Sequence, residues 1–310
     1  MTSLLIGVDG GGTHTRVMVT DEAGTQVASA EGVGSAVRAG DVSRSADIIA
    51  STIEAALAQA TEEARHVRLA CVGVAGVGRE DERNELHAAL VALGIADDVL
   101  VITDAEIALE DAFGDGAGVL LIAGTGSICF GRGPAGALAR CGGWGPNIGD
   151  EGSGAWLGRR TLGVVAAAFD GRENETALGP AILSATGAAS VEALIPWAAQ
   201  ASAAQFAALA PTIMDIAKAG DLRANAIITL GVEELALHVR TLARLLFVDE
   251  RATVPLAISG GLVHKGTLVR KRLETRLRSM VPGAMMHGDE VLPVRGAIKR
   301  ALRAPSAIAQ

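Results

Sequence analysis

A glycine-rich turn between two short apolar runs is the first feature of this chain that could do chemistry. The run 4–8 leads into Asp9-Gly10-Gly11-Gly12-Thr13, and a second run covers residues 16–20. A turn with few side chains lets backbone N–H groups approach a ligand closely, and successive N–H groups form a nest that attracts anions. A carboxylate beside such a nest repels phosphate unless a divalent metal lies between them. The pattern therefore indicates a nucleotide phosphate held with Mg²⁺, although Gly and Asp are also common in ordinary hairpin turns.

Two further glycine turns follow apolar runs. Gly124-Thr125-Gly126-Ser127 ends the run 118–123 and precedes another strand-like segment, which repeats the setting of the first turn. Two such nests could hold a triphosphate between two halves of the chain, whereas each alone is compatible with a plain turn. Ser259-Gly260-Gly261 follows the run 255–259 and would let a flat ring or a ribose lie against backbone, although glycine at a helix entry is common.

Carboxylates and an aromatic ring supply the rest of the candidate chemistry. Asp104 follows the apolar run 98–103, and a carboxylate at the carboxyl end of a strand faces the crevice where α/β sheets bind ligands. It could accept a proton from a substrate hydroxyl, or it could simply cap the helix that begins at the next residue. The loop 142–154 carries Trp144 and Asp150, an apolar face and an acceptor that suit a sugar, or an anchored surface loop.

The elements that must position these residues follow a repeated α/β order. The patterning predicts strands at 4–8, 16–20, 25–32, 67–74, 98–103, 118–123, 128–131, 137–141 and 255–259. It predicts helices from residue 41 or 43 to 65, at 80–93 and 105–113, through most of 155–248 with breaks at three prolines, and at 264–280 and 291–303. The two halves meet near residues 114–116, and each contains a mixed sheet with crossover helices.

Two motifs have ordinary explanations. Residues 131–136 match the dinucleotide fingerprint GxGxxG, but a strand follows and Pro134 lies inside, so the pattern predicts a hairpin turn. The basic run from His264 to Arg278 predicts the solvated face of a helix.

Composition limits the class of protein. The chain has 310 residues, of which 49% are hydrophobic and 20% charged, so two domains with sizeable cores are feasible. A net charge of −8 argues against nucleic-acid binding. Three cysteines without a CxxC pair indicate neither a disulfide framework nor a zinc site, and no apolar run has the form of a signal peptide or a membrane span. We expect a cytoplasmic protein that binds a small molecule, with neither nucleic acid nor membrane as a partner.

Taken in order, the glycine turns, Asp104 and the loop sequence Gly143-Trp144-Gly145…Gly149-Asp150-Glu151-Gly152 resemble the N-acetylglucosamine kinases. That family is grouped with the BadF/BadG-type ATPases in the sugar kinase, Hsp70 and actin superfamily. The resemblance covers almost the whole chain and is weakest over residues 171–220.

The resemblance implies an α/β fold of two ribonuclease-H-like domains with a cleft between them. It places the first domain at 1–115, with the C-terminal helix 291–310 packing back on it, and the second at 116–290 with helical insertions. It implies an ATP- and Mg²⁺-dependent amino-sugar kinase, a homodimer, that phosphorylates the 6-hydroxyl of N-acetylglucosamine. By position, the implied site residues are Asp104 as base, Asp9 at the metal, Gly10, Gly11, Gly12, Thr13, Gly124, Thr125, Gly126, Gly260 and Gly261 at the nucleotide, and Ser35, Ser127, Trp144 and Asp150 at the sugar.

Three alternatives stay open. Relatives often carry an asparagine in the loop after the third strand, where this chain has Gly32-Val33-Gly34-Ser35-Ala36-Val37, so a glucosamine kinase differs only in substrate. An activator ATPase of a radical dehydratase would need clustered cysteines at an iron–sulfur centre, and Cys71, Cys129 and Cys141 do not form that pattern. A sugar sensor without catalysis would not need both Asp9 and Asp104.

Overall fold

The computed structural model of the chain describes residues 3–38, 40–60, 66–248 and 253–304. The chain divides into two compact units, one formed by residues 1–116 and 289–310 and the other by residues 117–288. The predicted domain bounds lie next to these limits; that each unit is a ribonuclease-H-like domain, with a cleft between the two, stays a prediction.

The first unit, unit 1, is built on a five-stranded sheet in the order β3-β2-β1-β4-β5. Three antiparallel strands formed by consecutive segments are followed by two parallel strands reached through helices, as the repeated pattern predicted. The elements are β1 (Leu4–Gly10), β2 (His14–Asp21), β3 (Gln26–Val33), α1 (Val42–Leu57), β4 (Val67–Val74), α2 (Glu80–Ala92), β5 (Asp98–Thr103), α3 (Asp104–Phe113) and α11 (Pro293–Arg303).

Helices cover both faces of this sheet. Helices α1 and α2 pack on one face over a large apolar cluster, and α3 and α11 pack on the other. The last helix therefore joins the unit that contains the first strand. Its attachment includes a buried ion pair, in which the Asp111 carboxylate accepts from the Arg295 guanidinium at 2.6 and 2.8 Å and from the backbone N–H of Leu292 at 2.8 Å.

The second unit, unit 2, contains a sheet in the order β10-β9-β6-β7-β8. A long helix, α9, packs across three strands of this sheet, and α4, α8 and α10 pack against α9. The elements are β6 (Gly118–Ala123), β7 (Ser127–Arg132), β8 (Leu138–Gly142), α4 (Gly154–Phe169), α5 (Leu178–Thr186), α6 (Leu194–Gln200), α7 (Ala203–Ala207), α8 (Ala210–Lys218), α9 (Leu222–Leu246), β9 (Val254–Ser259), a short 3-10 helix (Gly261–Val263), α10 (Leu268–Met280) and β10 (Ala284–Met286).

Most predicted elements are confirmed, and the strands 67–74, 98–103 and 118–123 match residue for residue. The segment 131–136 is a hairpin turn, as predicted, with the Gly133 N–H bonded to the Ala137 carbonyl at 2.8 Å. Pro180, Pro196 and Pro211 each lie in the first turn of a helix, where a missing N–H costs nothing.

Other predictions are wrong in informative ways. The helix predicted from residue 264 begins at Leu268, because the Thr267 hydroxyl caps it by accepting from the Arg270 N–H. The basic run is not wholly a solvated face: the Arg270 side chain is buried and donates to the carbonyl oxygens of Ile258 and Val263. The helix predicted to residue 65 ends at Leu57, and residues 61–65 lie outside the described part. Strand β10 was not predicted.

None of the helices in the described ranges combines the length and the apolar character that a membrane crossing requires.

The contact between α11 and α3 depends on one glycine, which gives a first prediction. A Cβ added at Gly296 would overlap the carbonyl oxygen of Ile107, so we expect Gly296→Ala to push the helices apart and to lower the free energy of unfolding by roughly 3 kcal/mol. Urea unfolding followed by circular dichroism measures this change.

Gly163→Ala is the matched control, because this helical glycine on α4 has no atom within 4 Å of the added Cβ. Alanine there should leave stability unchanged or raise it by up to about 1 kcal/mol. Equal effects of the two substitutions would contradict the proposed packing constraint.

Candidate active site

The carboxyl ends of three strands in unit 1 meet at one edge of the sheet. Gly10 on β1 is opposite Val74 on β4, which in turn is opposite Thr103 on β5. Asp9 directly precedes Gly10 on β1, and Asp104 directly follows Thr103 at the end of β5. Ligands of open α/β sheets bind at this edge, so the fold brings the two predicted carboxylates to the appropriate place.

The first glycine turn leaves two backbone donors free. It is closed by a hydrogen bond from the Gly11 N–H to the His14 carbonyl at 2.9 Å. Within the described ranges, the N–H groups of Gly12 and Thr13 have no hydrogen-bond partner, and both residues are exposed. Two adjacent free donors on an exposed turn suit a phosphate group.

The loop after β3 packs directly against the glycine turn Gly10–Thr13. A Cβ at Gly34 would overlap the carbonyl of Gly12, so the two backbones touch directly. Ser35 is fully buried, and its hydroxyl bonds to the Thr15 hydroxyl at 2.8 Å. The structure thus places the predicted sugar residue Ser35 inside unit 1, under the glycine turn, where its hydroxyl is not accessible to a ligand.

Asp104 is not the cap of α3. The N-cap is Thr103, whose hydroxyl accepts from the Glu106 N–H at 3.1 Å, while the Glu106 carboxylate accepts from the Thr103 N–H at 2.9 Å. This reciprocal capping box makes Thr103, and not Asp104, the N-cap. The alternative in which Asp104 serves as the cap is therefore wrong. The Asp104 carboxylate accepts the N–H of Ala105 at 3.0 Å, and no side chain in the described ranges forms a hydrogen bond or an ion pair with it.

Asp9 and Asp104 lie close enough to repel one another. Burial, followed by repulsion from Asp104, raises the pKa of Asp9 from 3.8 to about 6, although Arg16 opposes the change. Burial also raises the pKa of Asp104, against hydrogen bonds from backbone N–H groups that lower it. Two half-buried carboxylates that disfavour their own charge form a donor set that fits Mg²⁺, which binds proteins through one or two carboxylates and completes its shell with water and phosphate.

This repulsion yields a prediction about stability. A folded-state pKa above the unfolded value means that ionisation of Asp9 opposes folding, so wild-type stability falls as the pH rises from about 4 to about 6. Asp9→Asn removes that penalty. Without nucleotide or metal at pH 7.5, we expect the variant to exceed the wild type in unfolding free energy by roughly 2 kcal/mol, with the difference shrinking towards zero at pH 4.

Urea midpoints of both proteins at the two pH values measure the effect. Asp47→Asn, at an exposed carboxylate on α1, controls for the loss of one negative charge. A variant no more stable than the wild type at pH 7.5 would show that Asp9 carries no such penalty.

In unit 2, two glycine turns lie side by side at the carboxyl edge of the sheet. Strand β6 pairs with β9 in parallel, so the turn after Ala123 lies beside the turn after Ser259. A Cβ at Gly260 would overlap the Ala123 carbonyl, and Gly260 has a φ of +110°, which favours glycine. The predicted second phosphate turn and the predicted adenosine turn are therefore brought together.

A cavity of about 380 Å³ opens next to these turns. Its walls combine glycines of the two turns with small apolar side chains from α7, α8 and the residues between them. The lining residues are Gly124, Thr125, Gly154, Ala204, Ala207, Ala208, Ala210, Pro211, Met214, Gly261 and Leu262. Sequence reasoning missed the helical wall, because an alanine-rich helix carries no chemical signal. Small side chains in two adjacent short helices were the one available indication of a cavity.

The loop between β8 and α4 carries the remaining predicted sugar residues. Asp150 is buried, accepts from the Gly145 N–H at 3.2 Å, and lies against Gly126, where an added Cβ would be 2.7 Å from its Oδ2 atom. Burial raises the pKa of Asp150. Ser127 is also buried, and its hydroxyl donates to the Glu151 carbonyl at 2.8 Å.

Trp144 lies in the same loop but faces solvent. Its side chain is 62% exposed, and the Arg140 guanidinium stacks 4.3 Å from its ring centroid. Arg140 also donates to the carbonyl oxygens of Gly142 and Gly143. One face of the Trp144 ring is stacked on Arg140, and the rest of the ring is exposed and available to a ligand.

Comparison with known proteins agrees with this description. The sequence model of the BadF/BadG/BcrA/BcrD ATPase family matches residues 6–298. The chain belongs to this ATPase family. None of its three free cysteines is fully exposed, and the described ranges contain no cluster of three or more metal-binding side chains.

Three characterised kinases are similar over most of the chain. An N-acetylmuramic acid/N-acetylglucosamine kinase of Clostridium acetobutylicum is 29% identical, covering 84% of this chain and 85% of its own. An N-acetyl-D-glucosamine kinase of Dictyostelium discoideum is 27% identical, covering 96% and 98%. A glucosamine kinase of Vibrio cholerae is 27% identical, covering 70% and 72%.

A solved structure from Chromobacterium violaceum, provisionally named an N-acetylglucosamine kinase, superimposes with a TM-score of 0.81 at 32% identity, covering 97% of this chain and 99% of its own. The predicted fold class, the two-domain α/β fold of the sugar kinase, Hsp70 and actin superfamily, is confirmed.

Proposed function

We propose that this ATPase-family member is an amino-sugar kinase that transfers the γ-phosphoryl group of ATP to the 6-hydroxyl of N-acetylglucosamine. The observation that carries the proposal is the Asp104 carboxylate, which is not the cap of α3 and lies near Asp9, at the same sheet edge as an exposed glycine turn with two unpaired N–H groups. The names of the curated relatives support the substrate class.

In this mechanism Asp104 orients the sugar hydroxyl and accepts its proton. Its raised pKa suits the role, because a base is most effective when its pKa approaches the working pH. The free N–H groups of Gly12 and Thr13 stabilise charge on the transferred phosphoryl. Gly10 and Gly11 belong to the same turn, and the missing side chain of Gly10 leaves room for the Ser35 hydroxyl beneath it. Mg²⁺, held by Asp9, would neutralise the phosphate oxygens.

Unit 2 would bind the rest of the two substrates. The turn Gly124-Thr125-Gly126 and the turn Gly260-Gly261 border the cavity, which we assign to the adenosine end of ATP. Asp150, Ser127 and Trp144 are assigned to the sugar. We reassign Ser35 from sugar contact to support of the first turn, since its hydroxyl is buried.

Glucosamine is the second candidate substrate. It is favoured by the similarity to the glucosamine kinase of Vibrio cholerae and by the absence of asparagine in the loop 32–37. The homodimer and the cytoplasmic location also remain predictions, and light scattering of the purified protein tests the first of them.

Replacement of Asp104 tests the proposal. ADP release from Mg-ATP is measured with N-acetylglucosamine, glucosamine, N-acetylmannosamine, N-acetylmuramic acid and glucose, and the product is located by NMR. We expect the wild type to favour N-acetylglucosamine, and Asp104→Asn to lose at least about 10³-fold in kcat while sugar affinity by calorimetry changes less than about threefold.

The capping box remains intact in this variant, so its fold should persist. Asp115→Asn, at an exposed carboxylate, is the control and should retain full activity. A fully active Asp104→Asn enzyme would remove the role given to this residue, and absence of ADP release with every sugar would reject the kinase proposal.

The nucleotide assignment has its own prediction. Ala208 lines the cavity and is exposed to it, so Ala208→Phe should fill part of the space and raise KM for ATP about tenfold, with KM for the sugar within about twofold. Ala199→Phe, at an exposed position on α6 away from the cavity, should change neither value. An unchanged KM for ATP in Ala208→Phe would place the adenosine elsewhere.

A further inference from the structure

The loop 142–152 adopts a backbone conformation that needs support from outside. Gly142, Gly143, Gly145 and Gly152 all have positive φ, and Asp150, with a φ of 58°, is the one non-glycine residue with positive φ in the described ranges. A non-glycine residue in this region costs of order 1 kcal/mol and persists only where its surroundings hold it there. The loop that presents Asp150 is therefore held by contacts beyond itself.

Helix α9 supplies contacts at both ends of the loop. At the first end, a Cβ added to Gly142 would lie 2.9 Å from Nε2 of His238, so the imidazole ring is packed against this glycine. At the other end, a Cβ at Gly152 would overlap the Gly231 carbonyl and lie 2.7 Å from the Leu235 side chain. One helix thus fixes where the loop leaves β8 and where it enters α4.

His238 is an unusual residue for such a place. It is only 8% exposed, and its Nδ1 atom is buried without a hydrogen-bond partner. Its Nε2 atom faces the Glu151 carboxylate at 3.8 Å. Burial lowers the pKa of His238, while the nearby carboxylates of Glu151, Glu234 and Asp150 raise it. Burial has the larger effect, so the pKa lies below its ordinary value and the ring is neutral at pH 7.

A neutral ring carries one proton, and its position follows from the partners. With the proton on Nε2, the N–H lies on the side of the Glu151 carboxylate, at an N···O distance of 3.8 Å that is longer than a hydrogen bond, and the unpartnered Nδ1 presents only a lone pair. Glu151 in turn accepts from the Ser127 hydroxyl through its carbonyl. A series of contacts therefore runs from α9 through Glu151 to the turn that contains Ser127.

We propose that His238 is a positioning residue for the sugar subsite, which acts through Gly142 and Glu151 to hold the loop 142–152 in the conformation that presents Asp150. The inference rests on the proposed function, since it takes this loop to contact the sugar. An aliphatic side chain of similar size would fill the space beside Gly142 but would leave Glu151 without the N–H that faces it.

Steady-state kinetics of paired variants test this role. We expect His238→Leu to raise KM for the sugar about tenfold with KM for ATP within about twofold, and His238→Gln, which restores an N–H donor near the Nε2 position, to stay within about threefold of the wild type. Val239→Ala is the control: the next residue on α9 is also buried, and its truncation should lower stability without moving KM for the sugar.

Coupling to Glu151 is tested by a double-mutant cycle. Glu151→Gln should raise KM for the sugar, and the effect of adding His238→Leu to it should be smaller than the effect of His238→Leu alone. Should His238→Leu fail to fold, His238→Met, which is of similar size and also lacks an N–H donor, replaces it in the same cycle. Additive effects, a sugar KM unchanged in His238→Leu, or an equal rise in Val239→Ala would overturn the proposal.

A measurement without substrate separates this inference from the proposed function. In a Trp156→Phe and Trp197→Phe background, Trp144 is the one remaining tryptophan and reports on the loop. His238→Leu should change its quenching by acrylamide, and Val239→Ala should not. A changed loop together with no phosphorylation of any sugar would reject the proposed function alone, whereas unchanged quenching would reject the role of His238.

Discussion

Direct contact between backbones at the carboxyl edge of each sheet is the constraint on which the candidate site depends. In unit 1 the loop after β3 touches the turn Gly10–Thr13 through Gly34, and in unit 2 the turn after β9 touches the end of β6 through Gly260. A single Cβ at either position would separate the segments. Because the segments touch, the turns are held in place, and in unit 1 the N–H groups of Gly12 and Thr13 stay open to a ligand.

The two carboxylates at the carboxyl edge of the sheet in unit 1 do not favour their own ionisation. Asp9 and Asp104 repel one another in a half-buried setting, and no neighbouring cation compensates fully, since the pKa of Asp9 stays raised despite Arg16. A cation bound with phosphate would relieve this repulsion. Another buried carboxylate of this protein, Asp111, has partners of its own. Hydrogen bonds from Arg295, Leu292 and Lys299 outweigh the effect of burial and lower the pKa of Asp111. Asp111 attaches α11, and the contrast fits a site whose partner is a ligand.

The loop 142–152 shows how a glycine-rich segment obtains a defined shape. Four positive-φ glycines let the chain turn repeatedly, and Asp150 is held in the same region of conformational space by N–H donors and by α9. Packing from a long, buried helix makes the loop part of the unit's core on one side and leaves Trp144 exposed on the other. The predicted sugar residues Trp144 and Asp150 thus lie on a loop, while helix α9 sets the conformation of that loop.

The sequence alone determined the order of strands and helices, because periodicity and glycine turns are local properties; the runs 67–74, 98–103 and 118–123 needed no tertiary information. It also identified the turns and Asp104 as candidates. The capping box of α3 was also open to local reading, because Thr103 and Glu106 are three residues apart, yet the prediction kept Asp104 as the alternative cap. Only the tertiary structure decided that Ser35 is buried and that Arg270 links a helix to a strand end. Only there do the alanines of α7 and α8 become the wall of a cavity and His238 a neighbour of Gly142. These outcomes depend on contacts between residues far apart in the chain, which no local pattern of residue types records.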